Sequence, residues 1–123
     1  MDQKVEIRWL PEPADDTYDA ARTYLELLYK PKQARRWAKQ LRKAGMSRYA
    51  AKDILRASCT PMSVIRAFDW TKQQEQIAHG DPLSPILLVR QDNGGPLVIA
   101  DGFHRMCALF AADQEVSVPC KII

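Results

Sequence analysis

Apolar and polar positions change period along this chain, and the changes divide it. Val5-Glu6-Ile7-Arg8-Trp9-Leu10 alternates and stops at Pro11, which predicts a strand with one polar face. Glu12 to Thr17 is rich in Pro and Asp and reads as a loop, with Asp16 or Thr17 as the cap of a following helix. In that helix Ala21, Tyr24, Leu25 and Leu28 fall at i, i+3, i+4 and i+7, a single inward stripe. Pro31 opens a second helix, where its missing N–H does no harm. Ala34, Trp37, Ala38 and Leu41 repeat the stripe there, and Gly45 ends it. Ser47 is placed to cap a third helix, with Ala50, Ala51, Ile54 and Leu55 inward. Cys59-Thr60-Pro61-Met62 is a break, residues 62–69 carry no assignable pattern, and Thr71 to Ala78 reads as a short helix stopped by Gly80.

Beyond Pro85 the pattern differs. Ile86-Leu87-Leu88-Val89 is a short continuous apolar run, the mark of a central strand. Gln91-Asp92-Asn93-Gly94-Gly95-Pro96 is dense turn chemistry, and Leu97 to Ala100 is a second strand, so the two predict a hairpin. From Phe103 the apolar positions Phe103, Met106, Cys107 and Phe110 return to helical spacing, Asp113-Gln114 ends that helix, and Val116 to Ile123 closes the chain as a strand. The elements predict an α/β (α+β) fold, a small mixed β-sheet flanked by helices. They form a single domain over 1–123, with 1–82 mostly helical and 83–123 holding hairpin, helix and strand.

Composition narrows the class. An apolar share of 46% and a charged share of 27% are those of an ordinary globular chain. The charged start, MDQKVEIRW, has no apolar segment of the kind a signal peptide needs, and no run is long enough to span a bilayer, so no membrane partner is expected. Cys59, Cys107 and Cys120 are odd in number and widely spaced. That argues against a disulfide framework and a zinc site, for three small buried hydrophobes, and for a reducing, cytoplasmic setting.

The net charge of +3 hides a segregation. Lys30 to Arg56 carries ten basic residues against one acid, Asp53, while the flanking segments are acidic. Arg35, Arg36, Lys39, Arg42 and Lys43 fall opposite the apolar stripe of the second helix. They read either as a solvated face or as a polyanion site that contacts nucleic acid. Trp37 would stack bases only if exposed, and its place on the stripe argues for core.

The strand-to-helix junction Leu97-Val98-Ile99-Ala100-Asp101-Gly102-Phe103-His104-Arg105 holds the candidate chemistry. A helix's first turn leaves N–H groups without intrahelical partners, and its dipole favours an anion there. Gly102 lets backbone approach a ligand, and Arg105 offers a fork that grips phosphate oxygens in pairs. These are the parts of a phosphate site. The structural alternative is that Asp101 caps the helix, Gly102 relieves a tight turn, and His104 and Arg105 form a solvated face.

The segment Leu83 to Ile123, about a third of the chain, resembles the ParB/sulfiredoxin-like superfamily. The likeness lies in PILLV, the turn DNGG, LVIADGFHRMCALFAAD and the closing VSVPCKII. An apolar strand, a Gly-containing turn, a second strand, Gly-x-His-Arg opening an Ala-rich helix, and a closing strand with Val-Pro near its start follow one another. Asp-Gly-x-His-Arg is common among the superfamily's small bacterial and phage members. The resemblance implies an α/β fold whose Gly-x-x-Arg turn holds nucleotide phosphates. Gly102, Phe103, His104 and Arg105 would then line the phosphates of a nucleoside tri- or diphosphate, ATP or CTP, with Lys72 as an additional contact. Asp101 would be the carboxylate beside Mg2+ or the general base, with His104 as the second catalytic candidate, for phosphoryl transfer or phosphoester hydrolysis. Phe103 departs from the pattern. It stands where sulfiredoxins have the cysteine that attacks phosphate and ParB proteins a glutamate tied to CTP, so it argues against sulfiredoxin chemistry and ParB-type hydrolysis. The alternative is a non-enzymatic nucleic-acid-associated or partner-binding protein that uses residues 30–56.

Overall fold

A computed structural model describes residues 6–67 and 69–123. The element order is α1 (Asp15–Leu28), α2 (Pro31–Lys43), β1 (Met46–Ala50), α3 (Ala51–Ala57), α4 (Met62–Ala67), α5 (Thr71–Ala78), β2 (Ile86–Val89), β3 (Val98–Asp101), α6 (Phe103–Ala112) and β4 (Ser117–Ile122). The fold is mixed α/β, with a four-stranded sheet of order β1-β4-β2-β3. β4 runs antiparallel to β1 and parallel to β2, and β2 is antiparallel to β3.

The sheet is covered on both faces, and β2 shows why its sequence is apolar throughout. Successive side chains of a strand point to opposite faces. Ile86 and Leu88 therefore join Ile54, Leu55, Met106 and Leu109 on one side, against α3 and α6. Leu87 and Val89 join Tyr18, Ala21, Leu25 and Leu41 on the other, against α1 and α2. All four residues of β2 are buried. A strand buried on both faces has no polar side to show, so it reads as a continuous run. Truncating Leu87 or Leu88 to alanine would cost about 2–5 kcal/mol, the usual range for a filled core position.

Several local expectations are revised. The strand expected over Val5–Leu10 begins outside the described residues. From Glu6 to Leu10 only one bridge forms, Trp9 parallel to Leu83, with Leu10 N donating to Leu83 O at 2.8 Å and Leu83 N to Arg8 O at 2.9 Å. Neither Asp16 nor Thr17 caps α1. The N-cap is Ala14, whose N–H is taken by Ser84 Oγ at 2.9 Å from across the fold. Ser47 caps no helix, because Met46–Ala50 pairs residue by residue with Lys121–Ser117 as an edge strand. An unpaired edge of β4 needs backbone partners, and that requirement overrides the local capping signal. Helix α3 starts at Ala51, with Ala51, Ile54 and Leu55 buried as expected. Lys121, on β4, is a buried cation. Its ammonium donates to the carbonyl of Arg42 at 2.9 Å, in the last turn of α2, and lies over the Tyr18 ring. It thereby satisfies a carbonyl that the helix end leaves without a partner.

Candidate functional site

The hairpin β2–β3 delivers Asp101 to the sheet's edge, and the chain must then turn sharply into α6. Gly102 makes that turn at φ +101°, ψ 20°, as the N-cap of α6, and no side chain among the described residues caps the helix. A Cβ at this position would stand 2.5 Å from Ile86 Cδ1 and 2.8 Å from Arg105 Nη2, so both conformation and space select glycine. The first intrahelical bond runs from Met106 N to Gly102 O at 2.9 Å.

Arg105 folds back beneath this turn. Its Nη2 donates to Asp101 Oδ2 at 2.8 Å, in an ion pair whose side chains are 22% and 16% exposed. The Arg105 Nε is buried and finds no acceptor among the described residues. Asp101 is therefore no helix cap. Its carboxylate neutralises Arg105 and ties the end of β3 to the first turn of α6. His104 is exposed, with its ring edge-on to Trp70 and to Phe103 at 6.1 and 5.9 Å between centroids. Phe103 is half-buried and packs against the α3/α6 core.

A cleft of about 560 Å³ runs along β3, the edge strand, and ends at this junction. Asp101, Gly102, Phe103 and His104 close one end of it, and Gln91, Pro96 and Leu97 line it on the hairpin side. Tyr24 and Leu28 of α1 line it too, as do Ser58 and Thr60, whose hydroxyls share a hydrogen bond at 2.7 Å. Arg105 and Lys72 do not line it. Lys72 is exposed on the first turn of α5.

Tyr24 and Leu28 were expected inward. They are instead 40% and 50% exposed, because the buried side of α1 is Thr17, Tyr18, Ala21 and Leu25. The stripe on α1 is wider than its contact with the sheet, and its surplus borders the cleft. Ser58 and Thr60 carried no signal beyond the break in helical pattern.

Among the described residues no three His, Cys, Asp or Glu side chains gather as a metal site. Cys107 and Cys120 are buried as expected, and burial pushes both thiols up to about 11, away from thiolate reactivity. Cys59 is a correction to that expectation. It is exposed, in the turn after α3 with φ +58°.

The basic segment resolves into one organised face and several local pairs. On α2, Lys32, Arg35, Arg36, Lys39, Arg42 and Lys43 lie opposite the buried Ala34, Ala38 and Leu41. At 100° per residue those six fall within an arc of about 120°. Arg42 pairs with Asp15, which raises its pKa, and lies 4.4 Å over the Tyr18 ring. Arg36 donates to Gln33. No ion pair among the described residues involves the other five cations. Beyond α2, Lys52 pairs with Glu115 and Arg56 with Asp53, while Arg48 donates to the Ser117 hydroxyl at 3.5 Å. Trp37 is half-buried and edge-on to Tyr29 at 4.6 Å, so it is no stacking platform.

No helix among the described residues is long and apolar enough to cross a membrane. No protein-family model, curated protein or solved structure matches this chain.

Proposed function

We propose that the chain binds a nucleoside phosphate, ATP or CTP, in the cleft along β3, with its phosphates against the first turn of α6. The observation that carries this reading is the meeting of that cleft with a helix N-terminus that no side chain caps and that a glycine leaves open. Such a terminus favours an anion through its dipole and its N–H groups. The walls suit the rest of the ligand. Tyr24, Leu28 and Leu97 offer apolar surface to a base, and Ser58 and Thr60 offer hydroxyls to a sugar. The sequence resemblance of Leu83–Ile123 supports the same site, and its strand, turn, strand, helix and strand are present in that order.

In this reading His104 donates to the phosphates, and Arg105 acts from behind, holding Asp101 and the turn in place. Magnesium would travel on the phosphates. Asp101 is the protein carboxylate beside them, with Oδ2 already engaged by Arg105, and the ion would neutralise phosphate charge. Any turnover would be phosphoryl transfer or phosphoester hydrolysis, with Asp101 and His104 as the groups able to move a proton.

Calorimetric titration of ATP, CTP, GTP and ADP, with and without Mg2+, tests the reading in wild type, His104→Ala and Arg105→Ala. Saturable binding is expected in wild type, weakened about tenfold or more in His104→Ala by loss of a charge-assisted hydrogen bond. No heat with any nucleotide in folded wild-type protein refutes it.

A second reading, a nucleic-acid-associated protein without turnover, draws on the α2 face. Five cations with no acid partner among the described residues spread over about 16 Å of helix, and its apolar side is buried, leaving a rigid charged ridge. Filter binding to duplex DNA should then fall with salt at a log–log slope of about −4 to −5. It should also fail in the combined Arg35→Glu, Arg36→Glu, Lys39→Glu, Lys43→Glu variant. Retention that ignores both salt and the reversals rules this reading out.

A further inference from the structure

A second cavity, of about 490 Å³, lies beside the cleft and shares only Gln91 and Leu97 with it. Its floor is Leu88 and Ile122, which face each other on the parallel strands β2 and β4. Ile54 and Ala57 of α3 form one wall, and Gly95 and Leu97 of the hairpin another. It opens near the carboxyl ends of the two parallel strands, the position where open α/β sheets commonly receive ligands. The hairpin wall is pinned, by Gln91 Nε2 donating to Pro96 O at 2.7 Å and Leu97 N to Ala57 O at 2.9 Å.

The lining is largely aliphatic, but the charges at its mouth do not cancel. Asp53 lines the cavity, and its carboxylate already accepts from Arg56 at 3.1 Å. Arg90 also lines it, is exposed, and enters no ion pair among the described residues. With Asp53 paired to Arg56, the Arg90 guanidinium is the net positive charge standing over an apolar pocket of ordinary ligand size. Such a site selects a ligand that is apolar along its body and anionic at one end. A neutral apolar molecule gains nothing from Arg90, and a cation is repelled by it.

We propose that this cavity binds a small apolar carboxylate, a medium-chain fatty acid or aryl-alkanoic acid. The body lies on Ile122 and Leu97, above the buried Leu88, and the carboxylate meets the Arg90 guanidinium, whose planar fork fits two carboxylate oxygens. The proposal does not depend on the nucleotide reading, because neither α6 nor its first turn lines this cavity.

The test uses the full chain and two probes, decanoate below its micellar concentration and decanol, followed by amide chemical shifts. Saturable decanoate shifts are expected at Ala57 and Ile122, with Ala20 and His104, which line only the cleft, unmoved. Decanoate should bind wild type about tenfold or more tightly than decanol, the worth of a charge-assisted pair. Arg90→Gln, a change at an exposed side chain, should remove that preference and leave decanol binding as it was. Ala57→Phe, which fills the chamber from an exposed helix position, should abolish binding of both. Equal affinity for the two probes in wild type overturns the proposal, as do shifts centred on His104 or an absence of saturation. The first of these needs no variant, so a folding defect cannot obscure the result.

Discussion

Gly102→Ala probes the junction on which both the fold and the proposed site depend. An L-residue held at φ +101° costs about 1–2 kcal/mol. The new methyl would meet Ile86 Cδ1 at 2.5 Å and Arg105 Nη2 at 2.8 Å, where carbon contacts rest at about 3.5–4.0 Å. Neither neighbour moves freely. Ile86 is fully buried in the α3/α6 core, and Arg105 is held by Asp101. Overpacking of this kind costs about 1–3 kcal/mol. Together the effects amount to about 2–5 kcal/mol, a large part of an ordinary domain's 5–15 kcal/mol. Urea unfolding followed by circular dichroism should show the midpoint lowered by close to 1 M or more, with the slope unchanged. Gly45→Ala is the matched control, because a Cβ there meets nothing within 4 Å, and it should stay within about 0.5 kcal/mol of wild type. A Gly102→Ala loss as small as the control's would mean that the turn relaxes without strain, and the steric reasoning would be wrong.

Other outcomes follow from the same contacts. Lys121→Ala should destabilise by about 2–3 kcal/mol, by leaving the Arg42 carbonyl unsatisfied beside a new void, and Lys121→Met, which keeps the stem, by clearly less. Equal losses in urea melts would contradict this division. Asp101→Asn and Arg105→Ala should each destabilise and should couple in a double-mutant cycle by about 1–2 kcal/mol, whereas independent effects would mean the ion pair is idle. Burial raises the Cys107 and Cys120 pKa values to about 11 from 9.0, so the native state keeps protons that the unfolded chain releases. Their stabilising contribution is whole below pH 9 and is lost between pH 9 and 11, at up to about 1.4 kcal/mol per thiol per pH unit. The doubly substituted Cys107→Ala, Cys120→Ala protein should lose stability less steeply over that window, and identical slopes refute the assignment. Cys59 should react with a disulfide reagent in the folded protein, with Cys107 and Cys120 reacting only on unfolding; early release of all three thiols would contradict the burial pattern.

Within residues 83–123 most of the structure was legible in order. β2 announces itself as an unbroken apolar run because both its faces are covered, and the hairpin because Asp92–Pro96 supplies turn chemistry between two such runs. Helix α5 is bounded at Thr71 and Ala78, as its flanking signals indicate. The start of α6 at Phe103 was also readable, since a glycine between a strand and a helical period marks a turn that needs positive φ.

What escaped local reading has one physical origin. β1 has no two-residue alternation and is a strand only because β4 presents a bare edge beside it. Tyr24 and Leu28 share a stripe with Leu25, yet the width of the α1–sheet contact leaves them at the cleft. Arg105 was expected at a phosphate or on a solvated face, yet it turns inward to pair with Asp101, which the turn brings alongside. Period and turn chemistry act over a few residues, and the sequence determines them by itself, whereas the capping signals at Asp16, Thr17, Ser47 and Asp101 gave way to partners that the folded chain supplied. Which edge is open, which half of a stripe is covered and which charge finds which partner depend on groups that meet only after the chain has folded.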